Sequence, residues 1–173
     1  MESFILTAEE KDLPLFSADF FNAVGKCTLL VEFYDTMLSP LDEESAAAYR
    51  QVKARYDGLT PYETEPRWYD SIRYDFTFGT TDKSLKVKKE EITAAYFAAL
   101  RENIRRANDV NPTAKKAKTA AYVDGLFAYG GPAVNQFRKL FGEETARESS
   151  MTFCSPVDKP QKNSVRKSLH LCT

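Results

Sequence analysis

The stretch LFSADFFNAVGKCTLLVEFYDTML, residues 15–38, decides the architecture, because its apolar residues fall at a helical spacing. Phe20, Val24, Cys27, Val31, Tyr34 and Leu38 recur at alternating four- and three-residue steps, which places them on one stripe of an α-helix. Ser17 stands where an N-cap belongs, since its hydroxyl can accept from a free amide of the first turn. This spacing predicts a first helix that begins near Ser17, after an extended arm over residues 1–16 ending at Leu13-Pro14-Leu15-Phe16.

Working outward, Ser39-Pro40-Leu41-Asp42 is a stop and a restart. Ser39 can cap, Pro40 suits the first helical position, and Asp42 lies at the positive end of the helix dipole. A second helix through Ala48, Val52 and Tyr56 is expected to end at Gly58. Pro61, Pro66 and their polar neighbours make residues 59–69 a loop. The period then changes to two. Ile72, Tyr74, Phe76 and Phe78 alternate with Arg73, Asp75 and Thr77, the pattern of a half-buried strand, and Leu85 and Val87 alternate with lysines as its return. A hairpin of strands at 71–78 and 84–88 follows. A third helix is expected at 89–108, with Ile92, Ala95, Tyr96, Ala99 and Ala107 inward. After the break at Asn108–Thr113, an alanine-rich fourth helix runs from Thr113 to Tyr129 and stops at Gly130-Gly131-Pro132. A short helix over 132–141 closes the plan. The expected fold is mainly α: a helical bundle of four main helices, a small β-hairpin between helices two and three, a short terminal helix, and a loose polar tail. The domain spans 1–149 and the tail 150–173.

At 173 residues, with 43% hydrophobic and 28% charged, the chain has the composition of one globular domain. Its 12 Phe, 9 Tyr and single Trp suit a tight core or an aromatic contact surface. No apolar run approaches bilayer-spanning length, so no membrane partner is expected, and Met1-Glu2-Ser3-Phe4 lacks the pattern of a secretory signal. Cys27, Cys154 and Cys172 are odd in number and widely spaced, which argues against a disulfide framework or zinc site and for a reducing compartment. The net charge of -1 hides an asymmetry: residues 1–48 hold ten acids against Lys11 and Lys26, whereas residues 83–118 hold ten bases against four acids. Such polarity suits head-to-tail self-association or a basic face for a polyanion; solvated helix faces with nothing bound fit equally.

Catalytic chemistry finds little support. The single histidine, His170, lies in the tail, so neither a histidine general base nor a histidine metal site is expected. Cys27 sits on the apolar stripe as a core residue. Glu43-Glu44 and Glu90-Glu91 are adjacent pairs, whose members diverge by about 100° on a helix, and are expected to be first-turn acids. Gly130-Gly131-Pro132 lacks the residues of a phosphate loop. No enzyme activity, cofactor or metal is expected. The basic junction is more informative: Arg101 and Arg105 share a helix face, Arg106 follows, and Lys115, Lys116 and Lys118 open the next helix after a loop holding Asn111. Amides at that helix start offer a further anion contact. Either this cluster tracks a phosphate backbone, or its cations solubilise alanine-rich helices.

Read in order, several short motifs resemble the coat proteins of rod-shaped plant viruses, the tobamovirus type and its tobravirus relatives. They are Ser3-Phe4-Ile5-Leu6-Thr7, Leu15-Phe16-Ser17-Ala18, Cys27-Thr28, Arg50-Gln51 with Tyr56 and Pro61, and Pro66-Arg67-Trp68 with the alternating strand. Ile92-Thr93-Ala94 through Arg101, Asn111-Pro112-Thr113, Val123-Asp124, and Asn135-Gln136-Phe137 through Phe141-Gly142 complete the set, covering roughly residues 3–142. The chain departs from that pattern in a shorter fourth helix and in Asp124-Gly125, where the family has paired acids. The resemblance implies a self-assembling capsid subunit, stacked in a helical or ring-shaped homo-oligomer, that packages single-stranded RNA in a groove between layers. It also implies a place in the virion and the host cytoplasm. Arg101 and Arg105 would contact phosphates and Asp124 would lie beside the groove; with Arg106, Asn111, Lys115 and Lys116 they form the expected RNA-binding set. The alternative from another class is a non-enzymatic adaptor bundle docking onto a larger complex.

Overall fold

In the computed structural model, which describes residues 2–23, 26–82 and 85–130 and then 134–135, 138–139 and 142–145, residues 15–34 form a β-hairpin and not a helix. Strand β1 (Glu2–Leu6) pairs with β2 (Leu15–Ala23), β2 with β3 (Lys26–Tyr34), and β3 with β4 (Phe78–Thr81), all antiparallel and in the order β1-β2-β3-β4. The β2–β3 ladder runs without a break from Leu15 opposite Tyr34 to Ala23 opposite Lys26. The mainly-α bundle is therefore overturned by a four-stranded sheet, and the helical order that the coat-protein resemblance implied is absent from residues 15–34.

The physical reason lies in the two periods. Cys27 and Val31 are four apart, a spacing that one helix turn and two strand repeats share. A helix buries only its stripe. The strands put Phe16, Ala18, Cys27, Leu29, Val31 and Phe33 together on one buried face, and so cover Phe16, Leu29 and Phe33, which lie off the helical stripe. Leu38, the last residue of that stripe, is exposed, and Tyr34 turns to the opposite face of the sheet. Ser17, the expected cap, sits mid-strand opposite Glu32.

The expected hairpin of strands at 71–78 and 84–88 is also absent. Residues 85–88 begin a helix, and the alternating segment pairs with β3 instead. Trp68–Ile72 forms a 3₁₀ turn, Arg73 bridges Tyr34, and β4 begins with Phe78 opposite Val31. Between these two pairs β3 advances three residues while the facing segment advances five, so residues 74–77 bulge outward. The Thr77 hydroxyl accepts from Phe33 N at 3.2 Å where a ladder carbonyl would otherwise stand, and the bulge lets Phe76 turn into the core against Tyr49, ring centroids 4.8 Å apart.

The helices are where periodicity placed them, with shifted starts. Helix α1 (Glu43–Ala54) is capped by Asp42, which accepts from Ser45 N at 2.8 Å, and not by Ser39. Helix α2 (Leu85–Arg106) starts before residue 89 and buries Leu85, Ile92, Tyr96 and Leu100. Helix α3 (Pro112–Tyr129) is capped by Asn111 and ends at Gly130, whose φ of 85° favours glycine. Helices α1 and α2 cover the inner face of the sheet. The Leu15–Tyr34 end of the outer face packs on Tyr69, Trp68, Tyr122 and Leu126, the last two from α3. Much of the short helix expected at 132–141, and the whole of the tail at 150–173, lie outside the described residues.

Gly125 shows how closely α3 seats on this end. A methyl group there would run into the Trp68 ring, and the indole cannot swing away without losing its Nε1 donation to Gly130 O at 2.9 Å. Gly125→Ala is expected to destabilise the chain by about 1–3 kcal/mol through overpacking, and to shift the emission of Trp68, the single tryptophan. Urea titration followed by that fluorescence checks both; an unchanged midpoint and spectrum would refute the packing account.

Candidate functional site

The α2–α3 corner is built from inside outward. Asp12 precedes β2, and Lys115 lies one turn into α3. Their side chains are 3% and 1% exposed and meet at 3.3 Å. Lys115 Nζ also donates to Leu13 O at 2.6 Å and Thr36 O at 2.7 Å, and the Asp12 carboxylate accepts from Leu38 N and Ser39 N, both at 2.9 Å. The pair thus ties α3 to the segments flanking the β2–β3 hairpin. Burial pulls the Lys115 ammonium below its usual range, against the attraction of Asp12. Above it, residues 107–111 are fastened to residues 10–12: Asp12 N donates to Asn108 O, Val110 N to Glu10 O, and Lys11 Nζ to Ala107 O while pairing with Asp109 at 2.8 Å.

This changes the basic cluster. Lys115 is an internal anchor and has no route to a phosphate. Asn111 is occupied as the cap of α3, accepting from Ala114 N at 3.1 Å, so that helix start is not an open anion site. Arg106 pairs with Glu44 and donates to Asn103. Arg101 and Arg105 stay on the surface, with side chains 69% and 62% exposed, and share Glu102 at 3.9 and 2.6 Å. Lys116 and Lys118 are exposed on the first turns of α3. Asp124 is exposed too, but nine residues beyond Lys115, about 14 Å along the axis, so it does not belong to the corner.

The outer face of the sheet holds a group that periodicity did not reveal. Asp19 on β2 faces Leu30, and Glu32 on β3 faces Ser17, so the two carboxylates are diagonal neighbours. Asp19 accepts from Ser3 and, at 2.9 Å, from Ser17. Glu32 accepts from Arg73 at 3.2 Å, which also pairs with Asp70 at 2.9 Å. Burial raises both carboxyls above their ordinary values of 3.8 and 4.5, outweighing the hydroxyls at Asp19 and the Tyr34 hydroxyl and Arg73 guanidinium at Glu32. Once residues 15–34 are laid out as strands, Ser17, Asp19, Glu32 and Tyr34 fall on one face; on a helix they scatter.

A pocket of about 80 Å³ lies beside Asp12, Asp42, Asn103 and Arg106, well under the ~300 Å³ of a site for a drug-sized ligand. Among the described residues no group of three or more His, Cys, Asp or Glu is placed to hold a metal ion, and no helix is long and apolar enough to cross a membrane. Cys27 is buried as a free thiol on the inner sheet face. The sequence matches no protein-family profile and no curated protein.

Two outcomes follow. Lys115→Met leaves the Asp12 carboxylate buried without its cation and is expected to cost about 3–5 kcal/mol, read as a fall in the urea midpoint. For Asp19 the folded state disfavours ionisation, so its contribution to stability is complete below about pH 4 and is lost as pH rises through the elevated folded value. Asp19→Asn, whose amide oxygen still accepts from Ser3 and Ser17, should therefore flatten the fall in stability between pH 4 and pH 7. Parallel wild-type and variant curves would contradict the assignment.

Proposed function

We propose that the chain is a non-catalytic coat subunit that self-assembles and packages single-stranded RNA through backbone contacts at the α2–α3 corner. The observation that supports it is the division of labour there. Buried Asp12–Lys115 and the main-chain ties to residues 10–12 hold the corner still, while Arg101, Arg105, Lys116 and Lys118 stand in solvent on its two arms. Cations on a rigid support meet a phosphate chain with little ordering cost, and such contacts carry no base information. A docking role without nucleic acid is favoured by a different feature, Tyr129, a residue 75% exposed whose ring lies beside Trp68 at the far end of α3.

Salt titration of binding to unrelated single strands separates the two. If about four cations engage phosphates, log affinity should fall with log salt with a slope of about -3, at roughly 0.7 per phosphate. Arg101→Ala should reduce both affinity and slope alike for every sequence. Glu102→Gln should strengthen binding, because that carboxylate competes for Arg101 and Arg105. Protein that assembles yet shows no RNA affinity at low salt would reject the corner as the contact and favour docking through Tyr129.

A further inference from the structure

The two edges of the sheet are treated differently. The β4 edge is covered by residues 60–62: Tyr62 N donates to Gly79 O and Thr81 N to Thr60 O, both at 3.0 Å, and the Thr80 hydroxyl donates to Thr60 O at 2.7 Å. Among the described residues the β1 edge has no such cover. Glu2–Leu6 pairs with Phe20–Phe16 on one side, and among the described residues nothing pairs with the other. The strand is short, five residues, but its centre, Ser3-Phe4-Ile5-Leu6, carries no charge, no proline and no bulge to keep another strand away.

The surroundings make this edge a prepared surface. Lys89 pairs with Glu2 at 2.7 Å and lies over the Phe20 ring at 4.2 Å, which pins the start of β1 to the body and neutralises its one charge. Ile5 is 42% exposed on the outer face. On the inner face Phe4 and Phe97 are only half-buried and meet edge to face at 5.1 Å. Ala94, three residues before Phe97 on that side of α2, is small and exposed, which leaves room for approach.

We propose that the β1 edge is a docking surface for a second copy of this chain, joined antiparallel across a two-fold axis near Phe4 into a continuous eight-stranded sheet. Self-complementarity favours this occupant. Antiparallel pairing about Phe4 sets Ser3 opposite Ile5 and Glu2 opposite Leu6, so no like charges meet, and it brings two half-covered Phe4–Phe97 pairs together. The contact is isologous and closes at two subunits. It rests on the self-assembly reading only in supplying a dimer, any further growth needing a different contact, and it stands apart from RNA binding.

The test uses the whole chain free of RNA. Sedimentation should show a monomer–dimer equilibrium, and amide hydrogen exchange of the peptide containing residues 2–6 should slow as protein concentration rises. Ile5→Lys, at a position already exposed, should weaken dimerisation at least tenfold while the far-ultraviolet circular dichroism is kept. A monomer at every concentration would overturn the proposal. So would a dimer whose 2–6 amides exchange at a rate independent of concentration, which would place the contact elsewhere or assign the edge to another part of the same chain. The exchange measurement needs no variant, so it decides the matter even if Ile5→Lys folds poorly.

Discussion

The ring of Phe33 is where the sheet and its covering layer meet. It lies 5.1 Å from Phe16 on β2, 4.4 Å from Tyr49 on α1, 5.0 Å from Phe76 in the bulge before β4, and 5.9 Å from Tyr96 on α2. Burying such a ring is worth about 1.5–3 kcal/mol, and each well-oriented aromatic partner adds about 0.5–1.5 kcal/mol. Those partners come from four separate segments, so the ring is satisfied only when all of them are in place. The bulge at 74–77 follows from this demand: a straight strand would carry Phe76 along β3, whereas the bulge turns it beneath Tyr49.

A second constraint acts beside the end of the sheet and is polar. A lysine and an aspartate are costly to bury, and this pair is tolerated because each is also hydrogen-bonded, Lys115 to two carbonyls and Asp12 to two amides. Such a pair is specific. It fixes where α3 begins relative to the hairpin, and hence where the cations of the α2–α3 corner stand. The same anchoring removes Lys115 from the set of cations that a ligand can meet.

The charge asymmetry of the sequence is answered in part within one molecule. Glu2 pairs with Lys89, Glu44 with Arg106 and Asp12 with Lys115, each joining the acidic first third of the chain to the basic stretch of α2 and α3. Unlike faces therefore do not by themselves call for a second subunit. Self-association rests more naturally on an open strand edge, a matter of main-chain hydrogen bonds and apolar contact. The exposed cations that remain act on whatever polyanion approaches the corner.

Helices α1, α2 and α3, the glycine stop after Tyr129 and most of the loop expected at 59–69, whose end is instead the 3₁₀ turn at Trp68–Ile72, were legible in the sequence. Each is decided by local chemistry: apolar residues at steps of three and four and a glycine at a left-handed position; the caps were not legible, since Asp42 takes the place expected of Ser39 and Asn111 is expected only in a loop. Exposure of Arg101, Arg105 and Lys116 was legible for the same reason. Residues 15–38 were not, because Cys27 and Val31 satisfy both a helical and a strand period, and the choice falls to the partners that Phe16 and Phe33 find in α1, α2 and Phe76. Neither was the pairing of 73–81 with β3 instead of 84–88, nor the burial of Lys115, nor the meeting of Asp19 with Glu32. Each of these joins residues well apart in sequence, and the free energy that selects it exists only when the surfaces of distant segments are brought together.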